Sequence, residues 1–288
     1  MTALFLGYDQ QALDAQYNLR ARHLDFQDHF DKWARDSAEA RLRLGGRLDL
    51  AYGVAPGETL DLFPAERKHA PVHVFIHGGY WRALDKKDHS YVAPPLVEAG
   101  YTTVVVNYAL APSVSIDEIV RQVRNSIAWS YRNAKSFGAD PDRITVSGHS
   151  AGGHLTVMAL LTDWPKFAPG LPEDLVKAAL PISGLFDLEP IRRSYLNSDL
   201  KLDPDSAARN SAVRFRPRSK APLLIAVGEA ETDEFRRQSR SLAQAWQGQA
   251  GPVQHHEYAG HNHFTISEEL GIPASPLSKA LLELIGRI

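Results

Sequence analysis

Ser147-Gly148-His149-Ser150-Ala151-Gly152-Gly153-His154 is the stretch on which the fold turns. It follows the β-branched run Ile144-Thr145-Val146 and leads into the apolar run Leu155–Leu161. Strand, then Gly-x-Ser-x-Gly, then helix is the context of a nucleophile elbow, a sharp turn that projects a serine hydroxyl outward. Glycines beside Ser150 remove the Cβ atoms that would keep strand and helix apart. The helix start behind the serine carries unpaired N–H groups suited to a developing oxyanion. An ordinary strand–helix turn has the same composition, so the surrounding chain must decide.

Outward from this point, short apolar runs recur: Val72–Ile76, Thr102–Val106, Arg143–Val146, Ala178–Ile182 and Pro222–Val227. Such runs suit central strands of a parallel sheet covered on both faces. Helical patterns at 116–137, 151–162, 233–249 and 276–287 separate or follow them, the first opened by Ser115-x-x-Glu118 and stopped by Gly138. The alternation predicts an α/β fold, a mostly parallel, doubly wound sheet with helices on both faces, within a single domain over 1–288. Ahead of it, 47–52 and 59–63 alternate apolar with polar and read as a half-exposed hairpin. Residues 1–44 form a helical N-terminal extension that is a candidate cover for the site. Within it Asp25 is a candidate cap for a helix whose Phe26, Phe30, Trp33, Ala34 and Ser37 share a face. Residues 187–220 are polar, lack a clean period, and read as a short insertion above the sheet.

Composition narrows the function. The 288 residues carry a formal charge of −2 without a basic block, which argues against nucleic acid or an anionic membrane as partner. No cysteine is present, which excludes disulfides, cysteine metal sites and a cysteine nucleophile. Neither a signal-like N-terminus nor a membrane-length apolar run occurs, so the expected home is the cytoplasm and the expected partner a small molecule.

Ile76-His77-Gly78-Gly79-Tyr80-Trp81 follows a strand, and backbone N–H groups of Gly78 and Gly79 there would complete an oxyanion hole with that of Ala151. Tyr80, Trp81, His149 and Phe264 are then candidate pocket residues. A general base is expected on a loop near the C-terminus, and His263 is preferred over His261 by its place before Phe264 and a helix start. The acid should follow strand 222–227, where Glu231 stands three residues past Gly228. Asp233 is the reserve, also a natural helix cap, and Asp187 a third candidate. The order serine, acid, histidine is that of an α/β-hydrolase sheet. No metal or other cofactor is expected: His149 and His154 lie five apart, off the spacing of helical ligands, and His255 and His256 would point to opposite faces of a strand.

Several pieces in order resemble the α/β-hydrolase-type kynurenine formamidases (arylformamidases): His77–Trp81, Asn107–Pro112, Gly148–Leu155, Ser183–Ile191, Arg209–Ser211, Asp233–Ser239 and His263-Phe264. The first is shared with the wider His-Gly-Gly esterases and lipases. The resemblance spans roughly residues 47–287 and implies Ser150 as nucleophile, His263 as base and Glu231 at the acid position, where members often carry aspartate. It implies hydrolysis of an aryl formamide through a formyl-enzyme. The alternatives are a carboxylesterase acting on short or aryl esters and a non-catalytic binding protein on the same fold.

Overall fold

The computed structural model describes residues 4–249 and 251–288. Eight strands form one sheet: β1 (Arg47–Ala51), β2 (Thr59–Phe63), β3 (Ala70–Ile76), β4 (Thr102–Val106), β5 (Ala139–His149), β6 (Val176–Ile182), β7 (Leu223–Gly228) and β8 (Val253–Tyr258). Their order is β1-β2-β4-β3-β5-β6-β7-β8. β2 pairs antiparallel with β1 and β4, and every other pairing is parallel. Every residue of β3, β4 and β7 is buried. Successive side chains leave a strand on opposite faces, so both faces of the sheet's centre are covered. The edge strand β8 instead alternates exposed and half-buried positions, with His256 outward and His255 half-buried.

The longer helices are α1 (Gln10–Tyr17), α2 (Phe26–Leu44), α3 (Ile116–Asn133), α4 (Ala151–Leu160), α5 (Asp233–Trp246) and α6 (Pro276–Ile285). All ten residues of α4 are buried, which explains the unbroken apolar character that follows the serine. A hydrophobic cluster runs without a break from Leu13 on α1 to Ile285 on α6.

Four local readings change. The 47–63 hairpin exists, but only β1 is exposed. Asp61 on β2 is buried because the ammonium of Lys86 lies 2.6 Å away, so its polar character does not mark a solvent face. Ser115 caps α3 by accepting from Glu118 N (3.2 Å), whereas the Glu118 carboxylate turns to Arg121 and Gln122, leaving the capping box half made. Asp25 stands at the cap position of α2 without a capping bond; its carboxylate lies 3.7 Å from His29. Residues 187–220 fold into short helices, Glu189–Arg193, Asn197–Leu200 and Pro204–Arg209.

Parallel strands β3, β5, β6, β7 and β8 are consecutive neighbours in the sheet, and each is followed at its carboxyl end by one residue of interest: His77, Ser150, Ser183, Glu231 and His263. The carboxyl edge of a parallel sheet is where such folds bind ligands.

Candidate active site

Ser150 occupies the turn between β5 and α4 at φ 58°, ψ −118°. A non-glycine residue held there costs on the order of 1–3 kcal/mol, which surrounding contacts must offset. Ser150 N donates to Ile182 O (2.8 Å), and its carbonyl accepts from His154 N (3.2 Å), so the turn is clamped from both sides. Gly148 is required by the same turn: a Cβ on it would lie 2.3 Å from the Gly152 carbonyl oxygen.

The Nδ1 of His263 lies 2.7 Å from Glu231 Oε2. A carboxylate only accepts, so Nδ1 carries the proton and Nε2 keeps a free lone pair. Glu231 itself is held through its other oxygen, which accepts from Gly228 N (2.9 Å) and from the Ser183 hydroxyl. Its side chain is fully buried. The His263 ring lies between those of Phe235 (4.4 Å) and His149 (4.5 Å), which fix its plane. His149 is buried; burial first, then the nearby His263, pushes its pKa well below the ordinary value, so it is neutral at working pH.

His77-Gly78-Gly79 passes directly over the serine. A Cβ on Gly78 would stand 3.0 Å from both Ser150 Cβ and the His149 carbonyl oxygen, a closeness that favours glycine. Gly79, Tyr80 and Trp81 all have positive φ, and the loop curls back so that Arg82 N and Ala83 N donate to Gly79 O.

Ser150, His149, His263, Gly79 and Tyr80 line one cavity of about 410 Å³. The N-terminal segment supplies much of the remaining wall, with Tyr17, Leu19, Arg20, Phe30 and Trp33, while Tyr195 and Asp199 reach in from 187–220. Phe264 closes one side, edge-on to Phe30 at 5.9 Å and stacked on His29 at 5.5 Å. Arg82 and Asp199 form an ion pair at the wall.

Residues 60–246 match the BD-FAE family. A kynurenine formamidase of Danio rerio is 34% identical over 247 residues, covering 83% of this chain and 82% of that protein. The chain belongs to the kynurenine formamidase family. It is a hydrolase of the α/β-hydrolase fold. A crystal structure of a candidate thioesterase from Silicibacter sp. TM1040 superposes with a TM-score of 0.84 at 32% identity, over 95% of this chain and 98% of that one. The esterase LipQ of Mycobacterium tuberculosis is 35% identical over 151 residues, 49% of this chain and 35% of that protein.

Against the family pattern, the alternative positions fall elsewhere. Asp233 is exposed in the first turn of α5, where its charge suits the helix N-terminus; Thr232, not Asp233, holds the cap position. Asp187 faces Arg237 at 3.5 Å. His261 turns toward Glu269, 3.8 Å away, outside the cavity. Trp81 is a correction: it is fully buried, its indole N–H donates to His154 Nδ1 (3.3 Å), and it does not line the cavity. His154 in turn donates from Nε2 to Asn210 O (2.9 Å), so it is a packing partner. Ser183 was missed as a partner of the acid. Its signal is a serine ending a buried strand next to the acid loop, and its φ of 51° turns it there.

Proposed function

We propose that this chain hydrolyses aryl formamides, N-formylkynurenine among them, with Ser150 as nucleophile, His263 as general base and acid, and Glu231 as its carboxylate partner. The observation that carries the reading is the 2.7 Å hydrogen bond that His263 Nδ1 donates to Glu231, with His263 lining the same cavity as Ser150. Ser150 Oγ attacks the formyl carbon while His263 Nε2 takes the hydroxyl proton. N–H groups of Gly78, Gly79 and Ala151 hold the resulting oxyanion, and loss of one such donor costs about 3–4 kcal/mol in the barrier. Collapse breaks the C–N bond, and His263 passes its proton to the departing aryl amine. Water then attacks the formyl ester, gives its proton to His263, and the serine leaves with that proton as formate is released.

The cavity suits this substrate class. A formyl group needs little room on the acyl side, and Tyr80, Phe30, Trp33 and Phe264 offer aromatic surface to an aryl ring. The unbroken hydrophobic cluster supports reading the described residues as one domain, with Tyr17, Leu19, Arg20, Phe30 and Trp33 of the N-terminal extension roofing the site. We assign the activity to the cytoplasm, the setting expected from the sequence. Similarity to LipQ favours one second reading, a carboxylesterase with the same residues. The deciding comparison is kcat/KM on N-formylkynurenine and on a short nitrophenyl ester. Efficient ester cleavage beside negligible formamide turnover selects the esterase.

A further inference from the structure

We infer that Tyr108 and Asn107 are positioning residues for the oxyanion hole, acting through the carbonyl side of the His77-Gly78-Gly79 loop; the inference rests on the serine-hydrolase reading above. The hydroxyl of Tyr108 donates in bifurcated fashion to two consecutive carbonyls, His77 O (2.9 Å) and Gly78 O (3.2 Å). In a trans peptide the N–H points opposite to the C=O. Anchoring both carbonyls on one hydroxyl therefore turns the N–H groups of Gly78 and Gly79 together, away from Tyr108. Among the described residues neither N–H has an acceptor in the protein, and Gly78 lies against Ser150. Two unspent, co-directed donors beside a serine are what an oxyanion hole needs, and preorganisation is what gives such donors their catalytic value.

Tyr108 is itself held. Its ring stacks on His77 at 4.3 Å with 9° between planes, and it is buried, which raises the phenol pKa and keeps the donor proton on. His77 adds a second grip: burial keeps its ring neutral, and its single ring N–H goes either to Gly78 O (Nδ1, 2.8 Å) or to Asn107 Oδ1 (Nε2, 3.1 Å). Asn107 has its orientation set by donating Nδ2–H to Asp85 (3.0 Å) and accepting on Oδ1 from Lys86 N (3.3 Å). Its backbone is tied down as well, with N donating to Thr59 O (2.9 Å) and O accepting from Tyr52 (2.6 Å). The loop over the serine is thus fixed from behind by residues following β4, which never touch the substrate cavity.

The test is Tyr108→Phe, which keeps the stacked ring and removes only the donor. The expected result is a fall in kcat of about 10- to 100-fold on the formamide or ester that the wild type turns over, with KM changed less than about threefold, smaller than the full loss of an oxyanion donor. Phenylboronic acid, whose serine adduct carries a tetrahedral oxyanion, should lose affinity in proportion to kcat/KM. The competitive aryl amine product should bind unchanged. Asn107→Asp, which places a second carboxylate beside Asp85, is the companion variant and should lower kcat in the same sense. Unchanged kcat in folded Tyr108→Phe, or equal loss of boronate and amine affinity, overturns the inference. Ser150→Ala separates the two layers: if it retains turnover, the serine-hydrolase reading fails, whereas its inactivity beside a fully active Tyr108→Phe refutes the positioning role alone.

Discussion

At Glu231 one oxygen receives Gly228 N–H and the Ser183 hydroxyl while the other receives His263. This division predicts what an amide would do in its place. In Glu231→Gln the two donors retain the carbonyl oxygen, so the NH₂ must face His263 Nδ1. Nδ1 then becomes an acceptor, the proton moves to Nε2, and the base is lost. Loss by the wrong tautomer is worth up to about 10⁴-fold in kcat, and steady-state kinetics should show a drop approaching that size with little change in KM. Asp233→Asn should stay within about twofold of wild type, since exposed surface substitutions are close to neutral; a collapse comparable to Glu231→Gln would move the acid to Asp233. The acid loop put Glu231 ahead of Asp233 by its place after Gly228, but gave no sign of what holds that carboxylate. That partner is Ser183, which reaches the acid from the end of the neighbouring strand 48 positions earlier in the chain. Trp81 was misread for a related reason, because its partner His154 lies on α4 rather than next to it in sequence.

At the scale of elements, the N-terminal helices matter more than their sequence period showed. Helical spacing in 26–37 identified an apolar face, but not what that face meets: Trp33 packs on His89, Tyr91, His149 and Phe264, joining α2 to the serine and histidine loops. A second tie runs from His29 on α2 to Glu268 at 2.7 Å. Phe30, only partly buried, contributes cavity wall and not much core. Phe30→Ala should therefore raise KM for an aryl substrate severalfold while leaving kcat within about threefold, the signature of lost uniform binding. Trp33→Ala differs, because Trp33 is 2% exposed: it should cost about 3–5 kcal/mol of stability, read by urea denaturation. Equal effects of the two variants on stability would contradict this division between wall and core. Of the central strands, by contrast, β4 was legible to the residue and β3, β6 and β7 to within two, since strands covered on both faces carry continuous apolar runs, whereas β5 runs from Ala139 to His149, well past the apolar 143–146. The burial of β2 was not legible, because the cation that covers Asp61 comes from Lys86, far along the chain.

For the whole molecule, the buried histidines set an acid limit on stability. His73, wedged between Thr145 and Ser147 hydroxyls, and His89 are both pushed by burial to about 3, and His154 to about 4. The unfolded chain binds protons on these groups from near pH 6.5 downward, while the folded chain does not until much lower. Stability is therefore full above about pH 6.5 and falls as pH drops toward 4, each such histidine contributing a slope of up to about 1.4 kcal/mol per pH unit. Urea unfolding across that range should show the decline, and His73→Gln should flatten it by about one proton; a slope unchanged by the substitution would contradict the assignment. The same molecule brings five strand ends together at one edge, and from that geometry comes the central claim that Ser150 carries the formyl group. The most direct measurement is a titration with a fluorophosphonate, following N-formylkynurenine turnover and mapping the adduct by mass spectrometry. Activity should fall to zero in proportion to modification, with the adduct on Ser150; full formamide turnover by protein whose Ser150 is completely modified would contradict the account.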